Sequence, residues 1–238
     1  HLVEPLRVVF SGDGKRLAAC SNKQTKVWDT GSQILVQEFP SSGALAIQTT
    51  HDGKQLFTGG GFGLRWWNIE TGTQERTIKS EDAVYDIALS PNEDFVALGV
   101  RCSRTVKVLN RNTGELVQTV EIPIDQPRKE SNAFSQVAFS RDGKWLIAAC
   151  GGRRTLDLPG DDSVIAVFEV ATWKQRCAFP ADKNSIVSLD VSADGQLIAG
   201  ACYDSHTVKL WEMPPASDQA LMEWKPIKVF ESTMRQNG

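Results

Sequence analysis

FSGDGKRLAAC at Phe10–Cys20 is the segment that decides the fold, because four later segments repeat its pattern. The copies are QTTHDGKQLFTGG from Gln48, LSPNEDFVALG from Leu89, FSRDGKWLIAAC from Phe139 and VSADGQLIAG from Val191. Their Asp or Asn turn residues, at positions 13, 52, 92, 142 and 194, are spaced 39, 40, 50 and 52 residues apart. A unit repeated at such a period is one supersecondary structure that stacks on its neighbours.

A second segment follows each copy and completes the unit. These segments read TKVWD, LRWWN, VKVLN, IAVFE and VKLWE, and their bulky residues are Trp28, Trp67, Leu109, Phe168 and Trp211. The alternation of apolar and polar residues indicates strands, and the Asp-Gly and Thr-Gly pairs indicate the turns between them. Each unit is therefore predicted to hold four short strands, with small residues in the second strand and a large side chain in the third to fill the gap between sheets.

Five such units predict an all-β fold, a β-propeller of four-stranded antiparallel blades. One sheet cannot bury both of its faces, whereas copies arranged around an axis bury each other. We expect a single propeller domain over 1–238, with blades at approximately 6–39, 44–79, 83–120, 134–180 and 186–230.

The repeats resemble the tryptophan-aspartate (WD) repeat family over roughly residues 6 to 230. Trp28-Asp29 is the literal pair, and Trp67-Asn68 and Trp211-Glu212 are close variants. The Gly-His dipeptide that usually opens a family repeat is absent from all five units. The resemblance implies a propeller, and it implies that the loop faces are surfaces where partners dock.

The number of blades leaves two interpretations open. Family propellers more often have six to eight blades, and many close their ring by borrowing a strand from the opposite terminus. Only five residues precede the first predicted strand, so we expect no such exchange. The chain is either a five-bladed ring closed in phase or part of a larger ring, whose other blades come from missing sequence or a partner chain. The second is favoured by the blade count and by the start at His1.

Composition excludes several classes of protein. Hydrophobic residues make up 41% and charged residues 23%, which is ordinary globular usage rather than that of a disordered chain. A net charge of −3 disfavours nucleic acid as a partner, and no apolar run approaches the ~20 residues of a membrane span. Five cysteines without a Cys-x-x-Cys pair favour a reduced, cytoplasmic setting.

The loops are the predicted site. Two insertions, Glu121–Asn132 and Gly151–Ser163, are expected to rise from one face, and a third, Met213–Trp224, from the opposite face. Arginine and tyrosine are common at interface hot spots, so a basic and aromatic patch is predicted to hold an acidic peptide or protein segment. Its residues are Arg101, Arg104, Arg153, Arg154, Tyr203 and His206. The alternative is that these arginines pair locally, for example with Asp157, Asp161 and Asp162, or face solvent.

Residues for catalysis or for a cofactor are not recognised in the sequence. His51 fits a turn, the acidic loop at 157–162 lacks calcium-site spacing, and the glycines at 59–63 precede a strand rather than a helix. The predicted function is a non-catalytic scaffold for protein–protein interaction, without cofactor or metal. The alternative is a cofactor-bearing or enzymatic propeller of quinoprotein-like type, which would need convergent polar groups in a central funnel. We find no such set in the sequence.

Overall fold

The computed structural model confirms the all-β propeller, with five antiparallel sheets of four strands each. It describes residues 6–21, 23–40, 43–61, 63–101, 103–123, 133–152, 163–183, 185–203, 205–215 and 222–231. Each sheet, called a blade below, consists of four strands that are consecutive in the chain. The turn signals in the sequence explain this order, because each turn joins neighbouring strands.

The strands are numbered in chain order. Blade one contains β1 (Arg7–Phe10), β2 (Arg16–Cys20), β3 (Gln24–Asp29) and β4 (Leu35–Pro40), and blade two contains β5 (Ala44–Thr49), β6 (Gln55–Gly60), β7 (Gly63–Asn68) and β8 (Gln74–Ile78). Blade three contains β9 (Val84–Leu89), β10 (Phe95–Val100), β11 (Thr105–Asn110) and β12 (Leu116–Glu121). Blade four contains β13 (Ala133–Phe139), β14 (Trp145–Gly152), β15 (Ser163–Glu169) and β16 (Gln175–Asp182), and blade five contains β17 (Ile186–Val191), β18 (Leu197–Cys202), β19 (Thr207–Glu212) and β20 (Lys228–Glu231).

The turn between the first two strands of each blade has the same hydrogen bonds five times. In blade four, the Ser140 hydroxyl donates to Asp142 Oδ1 at 2.7 Å and accepts from the Trp145 amide at 3.0 Å. The equivalent hydroxyls of the other blades, on Ser11, Thr50, Ser90 and Ser192, donate to Asp13, Asp52, Asn92 and Asp194. This hydrogen bond is the largest cause that lowers the pKa of Asp142. We call this end of the sheets the Asp-Gly face.

Adjacent blades are held together by apolar clusters that contain the bulky residue of the third strand. Trp67 of blade two packs against Phe39 of blade one, with ring centroids 5.2 Å apart. Trp211 of blade five packs in the same way on Phe179 of blade four, at 5.9 Å. The predicted role of these residues as fillers between sheets is therefore confirmed.

Small residues in the second strands allow this close approach. A Cβ on Gly99 would lie 2.1 Å from the Ser135 carbonyl oxygen of the next blade. A Cβ on Gly59 would lie 2.6 Å from Val84 Cγ1, also in the next blade. The sheets are thus closest near the axis, as the Ala- and Gly-rich second strands indicate.

The inner strands contact each other in sequence around the axis. β1 contacts β5, β5 contacts β9, β9 contacts β13 and β13 contacts β17. No comparable contact joins β17 to β1 within the described ranges. The arrangement is an arc of five blades, and one side each of blades one and five has no neighbouring blade among the described residues.

Candidate functional site

The turns between second and third strands lie on the face opposite the Asp-Gly face, because strand direction alternates within a blade. Connections between successive blades emerge on this same side, which we call the loop face. Arg101 and Arg104 lie in the β10–β11 turn, and Tyr203 and His206 lie in the β18–β19 turn. Arg153 and Arg154, predicted for the β14–β15 connection, lie outside the described residues, as do most residues of the three insertions.

The blade-three turn is fixed by backbone and side-chain bonds. The Arg101 amide donates to the Ala83 carbonyl at 2.9 Å, which ties this turn to the connection from blade two. Arg104 Nη2 lies 2.7 Å from Glu121 Oε1, and both side chains are exposed. An ion pair in solvent contributes about 0–1 kcal/mol, so a partner carboxylate can replace Glu121 at little cost.

The blade-five turn presents an aromatic side chain on a fixed backbone. The Tyr203 amide donates to the Ser185 carbonyl at 3.0 Å, and the Tyr203 side chain is 43% exposed. His206 has a φ of +52° and donates its amide to the Tyr203 carbonyl at 3.4 Å. The turn therefore holds Tyr203 and His206 at the rim of the loop face.

A charged pair beneath this turn joins blades four and five. Lys209 Nζ lies 2.6 Å from Asp182 Oδ2 and donates to the Ala181 carbonyl at 3.1 Å. Asp182 is buried and Lys209 nearly so. Four of the five third strands carry a base two residues before their bulky residue, and the pairing of one of these bases, Lys209, with the preceding blade is visible only in the structure.

The central channel contains convergent polar groups, contrary to the prediction that none are present. Its cavity, of about 440 Å³, is lined by the inner strands of all five blades. Arg7, Asp86, Gln136 and Ser188 lie four residues before the turn hydroxyl of their own repeats, so they stand at one level along the axis.

Register is the signal that could have revealed this ring of polar residues. Counting back from the turn hydroxyls at 11, 90, 140 and 192 places these four residues in one column. Motif spacing along the chain does not show this set, because its members are 50 to 79 residues apart.

Asp86 is the channel residue with the most unusual environment. Its Oδ2 accepts a hydrogen bond from the Val137 amide of blade four at 2.9 Å. Burial raises the pKa of Asp86 to about 6, and the amide bond and the positive charge of Arg7 oppose that rise. The carboxyl group thus links two blades and titrates closer to neutrality than an ordinary aspartate.

Other candidates for chemistry have structural explanations. Cys20 is buried, and its burial raises the thiol pKa to about 11, so it packs as an apolar residue. His51 lies in the turn between β5 and β6, and its amide donates to the Glu93 carboxylate in the corresponding turn of blade three. No group of three or more potential ligands for a metal ion occurs among the described residues. The acidic loop at 157–162 lies outside them.

Trp224, the last residue of the third insertion, folds back onto the blades. Its Nε1 donates to the Glu212 carbonyl at 3.0 Å, and Trp224 packs with Met213 and Met222 against the cluster between blades four and five. Within the described ranges, no helix is long and apolar enough to cross a membrane.

Two family models match parts of this chain. The model of the family described as "Lactonase, 7-bladed beta-propeller" matches residues 85–231, more than half of the chain. The model described as "WD domain, G-beta repeat" matches residues 5–29. The chain belongs to this lactonase family of β-propellers, and its first repeat matches the WD-repeat model. The resemblance inferred from Trp28-Asp29 and its variants is thereby confirmed.

Two curated relatives are similar to about three quarters of this chain. Protein groucho of Drosophila melanogaster and Transducin-like enhancer protein 2 of Mus musculus are each 23% identical over 184 residues, 76% of this chain. Those matches cover only 22% and 21% of the two relatives, so the chain corresponds to about a fifth of their length.

Two solved structures share the fold. The β-propeller domain of Cps50 (Swd1) from Myceliophteria thermophila has a TM-score of 0.75 at 14% identity, covering 98% of this chain and 75% of that one. Hydrazine synthase from Kuenenia stuttgartiensis has a TM-score of 0.71 at 18% identity, covering 88% of this chain and 63% of that one.

Proposed function

We propose that the protein is a non-catalytic scaffold that docks a protein or peptide on its loop face. The exposed Tyr203 side chain, on a turn fixed by backbone hydrogen bonds, carries this proposal. A rigid aromatic residue offers a large contact area at a small entropic cost, and tyrosine is enriched at binding hot spots. WD-repeat relatives support a role in protein interaction.

Arg101 and Arg104 give the proposed partner its chemistry. Both lie in the blade-three turn, and the Arg104 guanidinium forms an exposed pair with Glu121. A guanidinium group binds a carboxylate through two parallel hydrogen bonds, so an acidic segment is the partner that fits these residues. Arg153 and Arg154 are included in the proposed patch on the basis of the sequence alone. They belong to the β14–β15 connection of blade four, which lies in the chain between the turns that carry Arg104 and Tyr203.

Substitutions on the loop face, compared with a charge reversal on the Asp-Gly face, test the proposal. We would compare the wild type with Arg101→Glu/Arg104→Glu and with Tyr203→Ala, using quantitative affinity capture from cells that express the protein. Lys15→Glu/Lys54→Glu is the matched control, because these exposed lysines occupy equivalent positions on the Asp-Gly face. We expect the loop-face variants to lose at least one captured protein that the wild type and the control both retain. Equal capture by all four would refute loop-face docking.

Hydrolysis of a lactone is the second candidate function, and two observations favour it. The lactonase family model covers three of the five blades. The channel holds Asp86, whose pKa of about 6 would allow it to act as a base near neutral pH. Lactone opening followed in a pH-stat, with Asp86→Asn as the comparison, tests this function. Turnover by the wild type that the variant lacks would replace the scaffold proposal, and equal rates would reject this candidate.

Two further expectations belong to the scaffold proposal. A single domain over 1–238 predicts one cooperative unfolding transition by calorimetry, and separate transitions would contradict it. A cytoplasmic location predicts diffuse fluorescence of the tagged natural protein outside the nucleus.

A further inference from the structure

A cavity of about 600 Å³ lies at the joint between blades one and two, lined by Pro40 at the end of β4 and by residues of β7 and β8. Its two bases are Arg65 on β7 and Lys79, which directly follows β8. Arg65 and Trp67 are two residues apart on one strand, so both side chains stand on the side of blade two that packs on blade one. The cavity therefore exposes a guanidinium and an ammonium group to the same space.

No carboxylate lines this cavity among the described residues. The two outer strands beside it, β4 and β8, each contain one glutamate, and both glutamates are bonded elsewhere. Glu38 pairs with Lys26 at 3.5 Å, and Glu75 accepts a hydrogen bond from Gln55 Nε2 at 2.7 Å. Two like charges that share a cavity repel each other, and a bound anion turns that repulsion into attraction.

The corresponding joint between blades four and five carries its own acidic group. Lys209 occupies the Arg65 position of its repeat and lies 2.6 Å from Asp182 Oδ2 of the preceding blade. In the sequence, a Phe-Pro pair begins three residues before Asp182 and, in blade one, three residues before Ser42. Ser42 lies outside the described residues, but its identity shows that blade one does not repeat the acidic member of this pair.

Ser80 adds a hydroxyl group that is already fixed in place. Its Oγ lines the cavity and is buried, with no hydrogen-bond partner among the described residues. A buried polar atom without a partner is costly, and a bound ion is one explanation for it in a native protein. Gly63 holds this segment closely, because its φ is +97° and a Cβ there would lie 2.8 Å from the Ser80 amide nitrogen.

Thr77 supplies a second hydroxyl donor. Its Oγ1 accepts a hydrogen bond from Gln74 Nε2 at 2.9 Å, and both residues line the cavity. A hydroxyl group that accepts one bond still has its hydrogen to donate. The cavity thus combines two positive charges with two hydroxyl donors.

We propose that this cavity binds a phosphate monoester. Such an ester carries a charge of about −1.5 to −2 at pH 7 and three acceptor oxygens, which match the two bases and the two hydroxyl groups. A carboxylate has one charge and two oxygens, so it satisfies fewer of these donors. The site is separate from the docking patch proposed above, because Arg101, Arg104 and Tyr203 do not line the cavity, and neither proposal depends on the other.

Isothermal titration calorimetry in a phosphate-free buffer tests this proposal. Phosphate monoesters occur on phosphorylated side chains and on small metabolites, so one probe of each kind is used: a peptide with a single phosphoserine between glycines, and glycerol 3-phosphate. The same peptide with aspartate in place of phosphoserine tests the carboxylate. Each probe is titrated into the wild type, Lys79→Gln, Ser80→Ala and Lys54→Gln. The last variant is the matched control, because Lys54 is an exposed lysine on the Asp-Gly face.

We expect at least one of the two esters to bind the wild type at a single site with a Kd below about 1 mM. Lys79→Gln and Ser80→Ala should each weaken this binding at least about tenfold, because each removes a bond to a charged group, and Lys54→Gln should leave it unchanged. The ester that binds more tightly identifies the source of the phosphate. Without ligand, Ser80→Ala should keep or raise the unfolding midpoint in urea, because it removes a hydroxyl group that has no partner.

Four results would overturn the proposal. The first three are no binding of either ester, equal binding of the aspartate peptide, and binding that neither Lys79→Gln nor Ser80→Ala weakens. The fourth is a lower unfolding midpoint for Ser80→Ala without ligand, because the Ser80 hydroxyl would then stabilise the fold itself rather than wait for an anion.

Discussion

Replacing Phe179 by alanine tests whether the apolar joint between blades four and five stabilises the molecule. The Phe179 ring is fully buried and lies 5.9 Å from Trp211. Removing a buried phenylalanine costs about 3–5 kcal/mol, because the lost transfer free energy is increased by the cavity that remains. Phe230 occupies the equivalent position of blade five but is half exposed, so Phe230→Ala is expected to cost about 1 kcal/mol and to leave no cavity.

Urea unfolding followed by circular dichroism measures both variants. With a slope of about 3 kcal/mol/M for a chain of this size, Phe179→Ala is expected to lower the unfolding midpoint by about 1 M or more. Phe230→Ala is expected to lower it by about a third of that amount. Equal shifts in the 238-residue chain would refute the reasoning, because they would mean that Phe230 on the outer strand of blade five is as well packed as Phe179 on the outer strand of blade four.

Three further perturbations address other joints. Lys209→Met leaves Asp182 buried without its ammonium partner and is expected to lower the free energy of unfolding by about 3 kcal/mol in urea titrations. Burial raises the pKa of Asp86 to about 6, so the folded chain binds the carboxyl proton more tightly than the unfolded chain does. The free energy of unfolding of the wild type, relative to that of Asp86→Asn, should therefore fall by about 2–3 kcal/mol from pH 4 to pH 7. Gly99→Ala brings a methyl group onto the backbone of blade four and is expected to lower the thermal midpoint, at a cost of about 1–3 kcal/mol.

Matched controls separate these effects from general damage. Lys26→Met breaks a pair whose partner Glu38 is half exposed, so a loss below about 1 kcal/mol is expected, and a loss equal to that of Lys209→Met would contradict the argument from burial. Gly61→Ala adds a methyl group with no atom within 4 Å and should be nearly neutral; a loss as large as that at Gly99 would discount the close approach. If the difference in free energy of unfolding between the wild type and Asp86→Asn stays the same from pH 4 to pH 7, a raised pKa of the Asp86 carboxyl group is ruled out.

Local signals in the sequence were sufficient to predict the fold. The Asp-Gly turns, the Ala- and Gly-rich second strands and the residues at the Trp28 position each report on a structure formed within about 40 residues. Because every blade consists of consecutive strands, turn chemistry fixes the sheet order and the third-strand aromatic residue fixes which sides are buried.

The site was less predictable, because it depends on contacts between repeats. Asp86 bonds to Val137, 51 residues later, and the Arg7 charge reaches it from another blade. Nor did turn composition show that Arg104 pairs with Glu121, because this ion pair depends on how β11 and β12 are aligned. Arg101, Tyr203 and His206 were predicted to bind a partner only from their residue types in loops, and this role stays a prediction.

The self-contained hydrogen bonding of the Asp-Gly turns has an evolutionary consequence. Each turn hydroxyl and its neighbouring Asp or Asn form their bonds within a few residues of the chain, so the frame at that end does not rely on the opposite rim. Insertions and substitutions can then accumulate in the β10–β11, β14–β15 and β18–β19 turns without unfolding the sheets. One scaffold can in this way acquire new binding specificities at one rim while the turns at the opposite rim keep their hydrogen bonds.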